Sequence, residues 1–98
     1  MIGELRKRIV EGSFEFSKHA VDQSILRKVR EAFASGEVIE DYPENQYGPS
    51  CMVSGMADSG RPIHVHCSHP TRTPVKITTL YEPHPALWLL DFRERRRR

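Results

Sequence analysis

Apolar positions recur along this chain with two different periods, and the change falls at Gly36. From Ile2 to Glu11 the residues Ile2, Leu5 and Ile9 make one stripe of a helix, with Arg6, Lys7 and Arg8 around its other sides. Gly12 suits the C-terminus of that helix. Phe14 and Phe16 alternate with polar neighbours, which predicts a brief strand over residues 13 to 17. Ser17 then fits an N-cap, because its hydroxyl can accept from an amide that a first helical turn leaves unpaired. The helix that follows runs from Lys18 to about Leu26 and buries Ala20, Val21 and Ile25. Helical character resumes through Val29, Ala32 and Phe33 and stops at Ser35 and Gly36.

Beyond Gly36 the pattern is that of strands. Glu37 to Tyr42 reads as a strand ended by Pro43, and the following PENQYGP is a loop punctuated by proline and glycine. Cys51 to Ala57 is a second strand, and Asp58-Ser59-Gly60 makes a tight connection in which Gly60 can take a positive φ. Pro62 to Cys67 returns as a third strand. A fourth, Val75 to Glu82, follows the Pro/Thr loop and is ended by Pro83 and Pro85. Ala86 to Phe92 reads as a short helix or strand that packs Trp88 against the core. Helices first and a meander of strands afterwards predict an α+β domain, with the N-terminal helices on one face of a four-stranded antiparallel sheet.

Length and composition narrow this picture. Ninety-eight residues, 38% hydrophobic and 29% charged, make one domain with one modest core. The net charge of +2 hides an asymmetry: residues 93–98, RERRRR, hold five Arg against one Glu, which leaves ten Lys plus Arg against twelve Asp plus Glu in residues 1–92. The domain is therefore expected over 1–92, with a basic tail that attracts phosphate-rich partners without sequence preference or is simply solvated. Two cysteines, Cys51 and Cys67, make no disulfide framework and fit no common zinc module. The charged start holds no signal-peptide core, and the longest apolar run, Ala86 to Leu90, is far short of a membrane span. A cytoplasmic protein with reduced thiols, away from membranes, is the expectation.

Chemistry concentrates at four places. His19 falls in the first turn of the predicted second helix, where an imidazole can carry or lose a proton near neutral pH. Arg27, eight positions on, lies about 80° around the helix from it, so both can border one groove. On the third strand His64 and His66 share one face and Ile63, Val65 and Cys67 the other. Histidines beside cationic helices suit acid–base work on a phosphodiester: one group takes a proton from the 2′-hydroxyl of RNA, another protonates the leaving oxygen, and a cation stabilises the charge that develops on phosphate. The alternative is a pair of exposed strand histidines with no role. A metal site of His64, His66 and His69, or one completed by His84, is a second alternative, although an unbroken strand sends Cys67 to the other face. Tyr81 falls by parity with Val75, Ile77 and Thr79, which makes it a core-edge aromatic unless the end of the strand redirects it. No phosphate-binding glycine loop, nucleophile elbow or dinucleotide fingerprint is present, and no cofactor is expected.

FSKHA (Phe16 to Ala20), Arg27-Lys28-Val29, GEVIEDYP (Gly36 to Pro43), GPSCMVSG (Gly48 to Gly55), RPIHVHC (Arg61 to Cys67) and ITTLYEP (Ile77 to Pro83), in this order and spacing, resemble the bacterial domain-of-unknown-function 4258 family. That family is similar to the RelE/ParE and barnase-like toxins, with N-terminal helices on a curved antiparallel sheet. The resemblance implies a small toxin of a type II toxin–antitoxin pair, with RNA or the ribosome as target and a cognate antitoxin as partner, a zinc-finger type being one candidate. It marks His19, Arg27, His64 and Tyr81 as the site. In the metal-independent endoribonuclease this implies, His19 and His64 exchange protons, Arg27 holds the scissile phosphate and Tyr81 orients or stacks the substrate. His66 and Cys67 depart from the apolar or small residues that relatives carry there. A non-catalytic module binding protein or nucleic acid in the same groove, and a small metal-binding protein built on the histidine strand, are the alternatives.

Overall fold

The computed structural model describes residues 1–16 and 23–84. The predicted Ser17 cap, the start of the second helix with His19, and the Trp88 segment and basic tail lie outside them. The elements run α1 (Ile2–Val10), β1 (Phe14–Phe16), α2 (Gln23–Ser35), β2 (Glu37–Tyr42), β3 (Ser50–Met56), β4 (Pro62–Ser68) and β5 (Val75–Tyr81). None of the described helices is long and apolar enough to cross a membrane.

Each element follows from a local cause. Helix α1 ends where Gly12 takes φ 76°, with the Gly12 N–H donating to the Ile9 carbonyl and the Ser13 N–H to that of Arg8. This pair of bonds satisfies the last carbonyls and turns the chain out of the helix. The turn leads directly into β1, whose pairing begins as the Val75 N–H donates to the Ser13 carbonyl at 3.0 Å. At the other helix end, the Arg6 guanidinium on α1 donates to the Phe33 carbonyl at 2.8 Å and to the Gly36 carbonyl at 2.6 Å. Those acceptors have no helical partner of their own, so one arginine both caps α2 and ties the two helices together.

The strands form one five-stranded sheet in the order β1-β5-β4-β3-β2. The four-stranded antiparallel meander is there as β2 to β5, but the expectation is corrected at its edge: β1 adds a fifth strand and runs parallel to β5, Phe14 opposite Val75 and Phe16 opposite Ile77. Sequence spacing cannot pair residues so far apart, and a three-residue strand is held only by its neighbour.

One face of the sheet carries the core. Leu5 and Ile9 of α1 and Val29, Ala32 and Phe33 of α2 pack on Cys51, Val53, Ile63, Val65, Cys67, Val75 and Ile77. Helix α2 approaches β3 so closely that a Cβ on Gly55 would lie 2.1 Å from the Ala32 carbonyl oxygen. Only glycine fits there. Cys51 and Cys67 sit opposite each other across β3 and β4, both fully buried, with their sulfurs 3.9 Å apart.

Two bulges decide what the other face carries. On β2, Val38 lies opposite Val53 but Glu40 lies opposite Met52, so Ile39 is the extra residue. On β5, Ile77 lies opposite Cys67 but Thr79 lies opposite His66, so Thr78 is extra. A bulge reverses the facing of everything after it. Hence Leu80 turns to the core and Thr79 and Tyr81 turn away from it, which corrects the parity expected for Tyr81 from an uninterrupted strand.

Candidate functional site

Opposite residues in a ladder share a face, so the register gives the uncovered face as three rows. One row is Glu37, Ser54, His64 and Tyr81; the next is Glu40, Met52, His66 and Thr79; the third runs from Tyr42 through Ser50 to Ser68. Two adjoining cavities lie over these rows. An inner cavity of about 300 Å³ is lined by Tyr42, Asn45, Met52, His66, Thr79 and Tyr81. An outer cavity of about 420 Å³ is lined among others by Tyr47, Ser50, His66, Thr71, Arg72 and Lys76. His66 and Asn45 belong to both, which makes the two one groove.

His66 is held from both sides. Its Nε2 is 3.0 Å from the Ser50 hydroxyl, and the Tyr42 ring stands edge-on to the imidazole with centroids 5.5 Å apart. Tyr42 is oriented in turn by donating its hydroxyl to a carboxylate oxygen of Glu40. Partial burial disfavours the charged imidazole and pulls the His66 pKa below the ordinary histidine value. A neutral imidazole that still reaches the groove is a proton acceptor near pH 7.

His64 differs from it. It is fully buried, with Nδ1 3.3 Å from the Tyr81 hydroxyl and its ring edge-on to that of Tyr81. The Tyr81 hydroxyl also points to the Met52 sulfur at 3.6 Å, and Tyr81 lines the inner cavity. His64 therefore meets the groove through Tyr81. His69 leaves the rows altogether: its Nε2 is 2.6 Å from an Asp41 carboxylate oxygen and 3.0 Å from the Ser50 carbonyl.

Of the four residues singled out from sequence, the structure brings His64 and Tyr81 into contact. Arg27 is exposed on α2, which packs on the opposite, apolar face, so the sheet separates its helix from His64. His19 lies outside the described residues. Among the described residues no three His, Cys, Asp or Glu side chains gather as a metal site: His64 turns to the Tyr81 hydroxyl, His66 to the Ser50 hydroxyl and His69 to Asp41 and the Ser50 carbonyl. Sequence reasoning passed over Glu40, Tyr42, Tyr47, Arg72 and Lys76. The first two are brought to the open face by the bulge at Ile39, which carries no local signal. Tyr47 had one: a tyrosine between the turn residues Asn45 and Gly48 is displayed, not buried.

Residues 16–82 match a protein family described as Domain of unknown function (DUF4258), and the chain belongs to that family. No curated protein and no solved structure matches the chain.

Proposed function

We propose, starting from that membership, that the chain is a RelE-like toxin of a type II toxin–antitoxin pair that cleaves RNA in the open-face groove by acid–base chemistry. The observation that supports this most is His66, a partly buried imidazole with lowered pKa at the junction of two cavities. In this reading His66 accepts the proton of the 2′-hydroxyl, the 2′-oxygen attacks phosphorus, and the 5′-oxygen leaves. Tyr81 lines the same inner cavity and donates the proton that the leaving oxygen requires, with His64 behind it orienting the phenol. The products are a 2′,3′-cyclic phosphate and a 5′-hydroxyl. Protein groups supply both proton transfers, so the reading needs no metal. The partners it implies are RNA, free or on the ribosome in the cytoplasm, and a cognate antitoxin.

A second reading, binding without cleavage, is favoured by one observation: His64 is fully buried and offers no face of its own to a substrate. Incubation of the protein with total RNA and with translating ribosomes, with and without chelator, separates the two. Cleavage that persists with chelator and is lost in His66→Ala supports the ribonuclease. Wild-type protein inert on both substrates leaves the binding module.

A further inference from the structure

The outer cavity has a composition that the chain as a whole does not. Residues 1–92 carry more carboxylates than cations, yet the residues lining this cavity include Arg72 and Lys76 and no Asp or Glu. Ser50, Ser68, Thr71 and Thr78 line it as well. Such a surface attracts an anion and offers it donors. Outside the lining, the Glu15 carboxylate stands opposite Lys76 in the sheet and holds Arg72 Nη2 at 3.3 Å. Arg72 Nη1 also donates to the Pro74 carbonyl, at a long 3.5 Å, so the guanidinium is held at both ends by long contacts and a phosphate must share its N–H groups with them.

The second feature is Tyr47, which lines the same cavity although 90% of it is exposed. Its loop is built: the Tyr47 N–H donates to the Asn45 side-chain oxygen at 2.9 Å, the Gly48 N–H to the Asn45 carbonyl at 2.9 Å, and the His69 N–H to the Pro49 carbonyl at 3.0 Å. A large aromatic ring held out by an ordered loop gives up hydrophobic stabilisation that the fold could have taken. Ring faces displayed beside cations are how proteins hold nucleotides whose bases are unstacked, since every base has a π-face and every phosphate a charge.

We propose that the outer cavity is a nucleotide subsite in which Tyr47 stacks the base and Arg72 and Lys76 hold the phosphate. This rests on the ribonuclease reading only for its context: the subsite would seat the nucleotide next to the one cleaved. The same chemistry describes a free mononucleotide, and the two sources are distinguished by comparing ligands.

The test is calorimetric titration of the full chain with adenosine monophosphate, inorganic phosphate, adenosine and a single-stranded oligoadenylate. The monophosphate should bind tighter than either phosphate or adenosine. Tyr47→Ala should weaken it by about five- to 150-fold, the range for losing one base–aromatic stack, and Tyr47→Phe should not. Arg72→Ala should weaken both monophosphate and phosphate, and Arg72→Lys should restore part of the loss. An oligoadenylate that binds much more tightly than the monophosphate identifies an RNA chain as the ligand; equal affinity identifies a free nucleotide. Tyr47 is exposed, so its variants should keep the fold, which circular dichroism checks. No binding of monophosphate or phosphate at millimolar concentration, or binding unchanged in both Tyr47→Ala and Arg72→Ala, overturns the subsite. Its failure is separable from that of the ribonuclease reading: RNA cleavage with unchanged KM in both variants sinks the subsite alone, and tight Tyr47-dependent binding without cleavage sinks the ribonuclease alone.

Discussion

The two faces of the sheet are made by the same strands and treat their side chains differently. On the face under the helices the rows are Val38, Val53, Val65 and Leu80, and then Cys51, Cys67 and Ile77, close-packed with α1 and α2. On the other face polar and aromatic groups hold one another by hydrogen bonds and edge-on ring contacts, and a groove runs between them. The first face stabilises by burying apolar area, at about 25 cal/mol per Å². The second keeps polar groups satisfied yet partly accessible, which costs stability but holds titratable groups where a ligand can meet them. Substitutions on the two faces should therefore fail in different ways: loss of folding on one, loss of chemistry on the other.

The largest effect expected is on the open face. If the ribonuclease reading holds, His66→Ala should lower the cleavage rate by about two to four powers of ten, the range for losing a positioned base, with a loss of stability of only about 1 kcal/mol from the Ser50 and Tyr42 contacts. In the wild type the rate should rise with pH as His66 loses its proton, with a midpoint below the usual histidine value. Stability carries the same sign. A lowered folded pKa means that the unfolded chain binds the proton more readily, so this contribution is complete above the unfolded value of about 6.5 and is lost as pH falls through the folded one. His66→Gln should remove that slope from denaturation curves taken between pH 5 and 7.

On the apolar face Gly55→Ala should act on folding alone. The added methyl meets the Ala32 backbone at 2.1 Å, and overpacking against backbone costs about 1–3 kcal/mol or more, readable by urea denaturation. Next comes Tyr81→Phe, which removes the contact with His64 Nδ1 at 3.3 Å. It should cost about 0.5–1.5 kcal/mol of stability and, in the ribonuclease reading, reduce cleavage far more than that figure suggests. A drop in stability with no drop in rate would make Tyr81 structural.

Smaller effects sharpen the contrast. The contact with Cys51, and then burial, push the Cys67 thiol well above its ordinary pKa. A buried thiol of that kind is inert, so a disulfide reagent should leave Cys67 unmodified in the folded protein and titrate it on unfolding. Arg27→Ala should change stability by no more than about 0.5 kcal/mol, since the side chain is exposed. With the sheet between its helix and the groove, it should leave cleavage unchanged. A rate loss as deep as that of His66→Ala would mean that the site extends beyond the groove.

What the sequence determined by itself, among the described residues, is the set of elements and the apolar sides of α1, β3 and β4. The stripe of Leu5 and Ile9, the change of period at Gly36, the tight turn at Asp58-Ser59-Gly60 and the opposite facing of His64 and Val65 are local properties, fixed by 3.6-residue and two-residue periods within a few neighbours. The tertiary structure alone decided the rest. The parallel pairing of β1 with β5, the contact of Cys51 with Cys67, and the bulges at Ile39 and Thr78 depend on which strand lies beside which, and in what register. Those two bulges turned Glu40, Tyr42, Thr79 and Tyr81 onto the face of the histidines. A strand's own alternation cannot announce that, because the extra residue exists only relative to the partner strand that it fails to match.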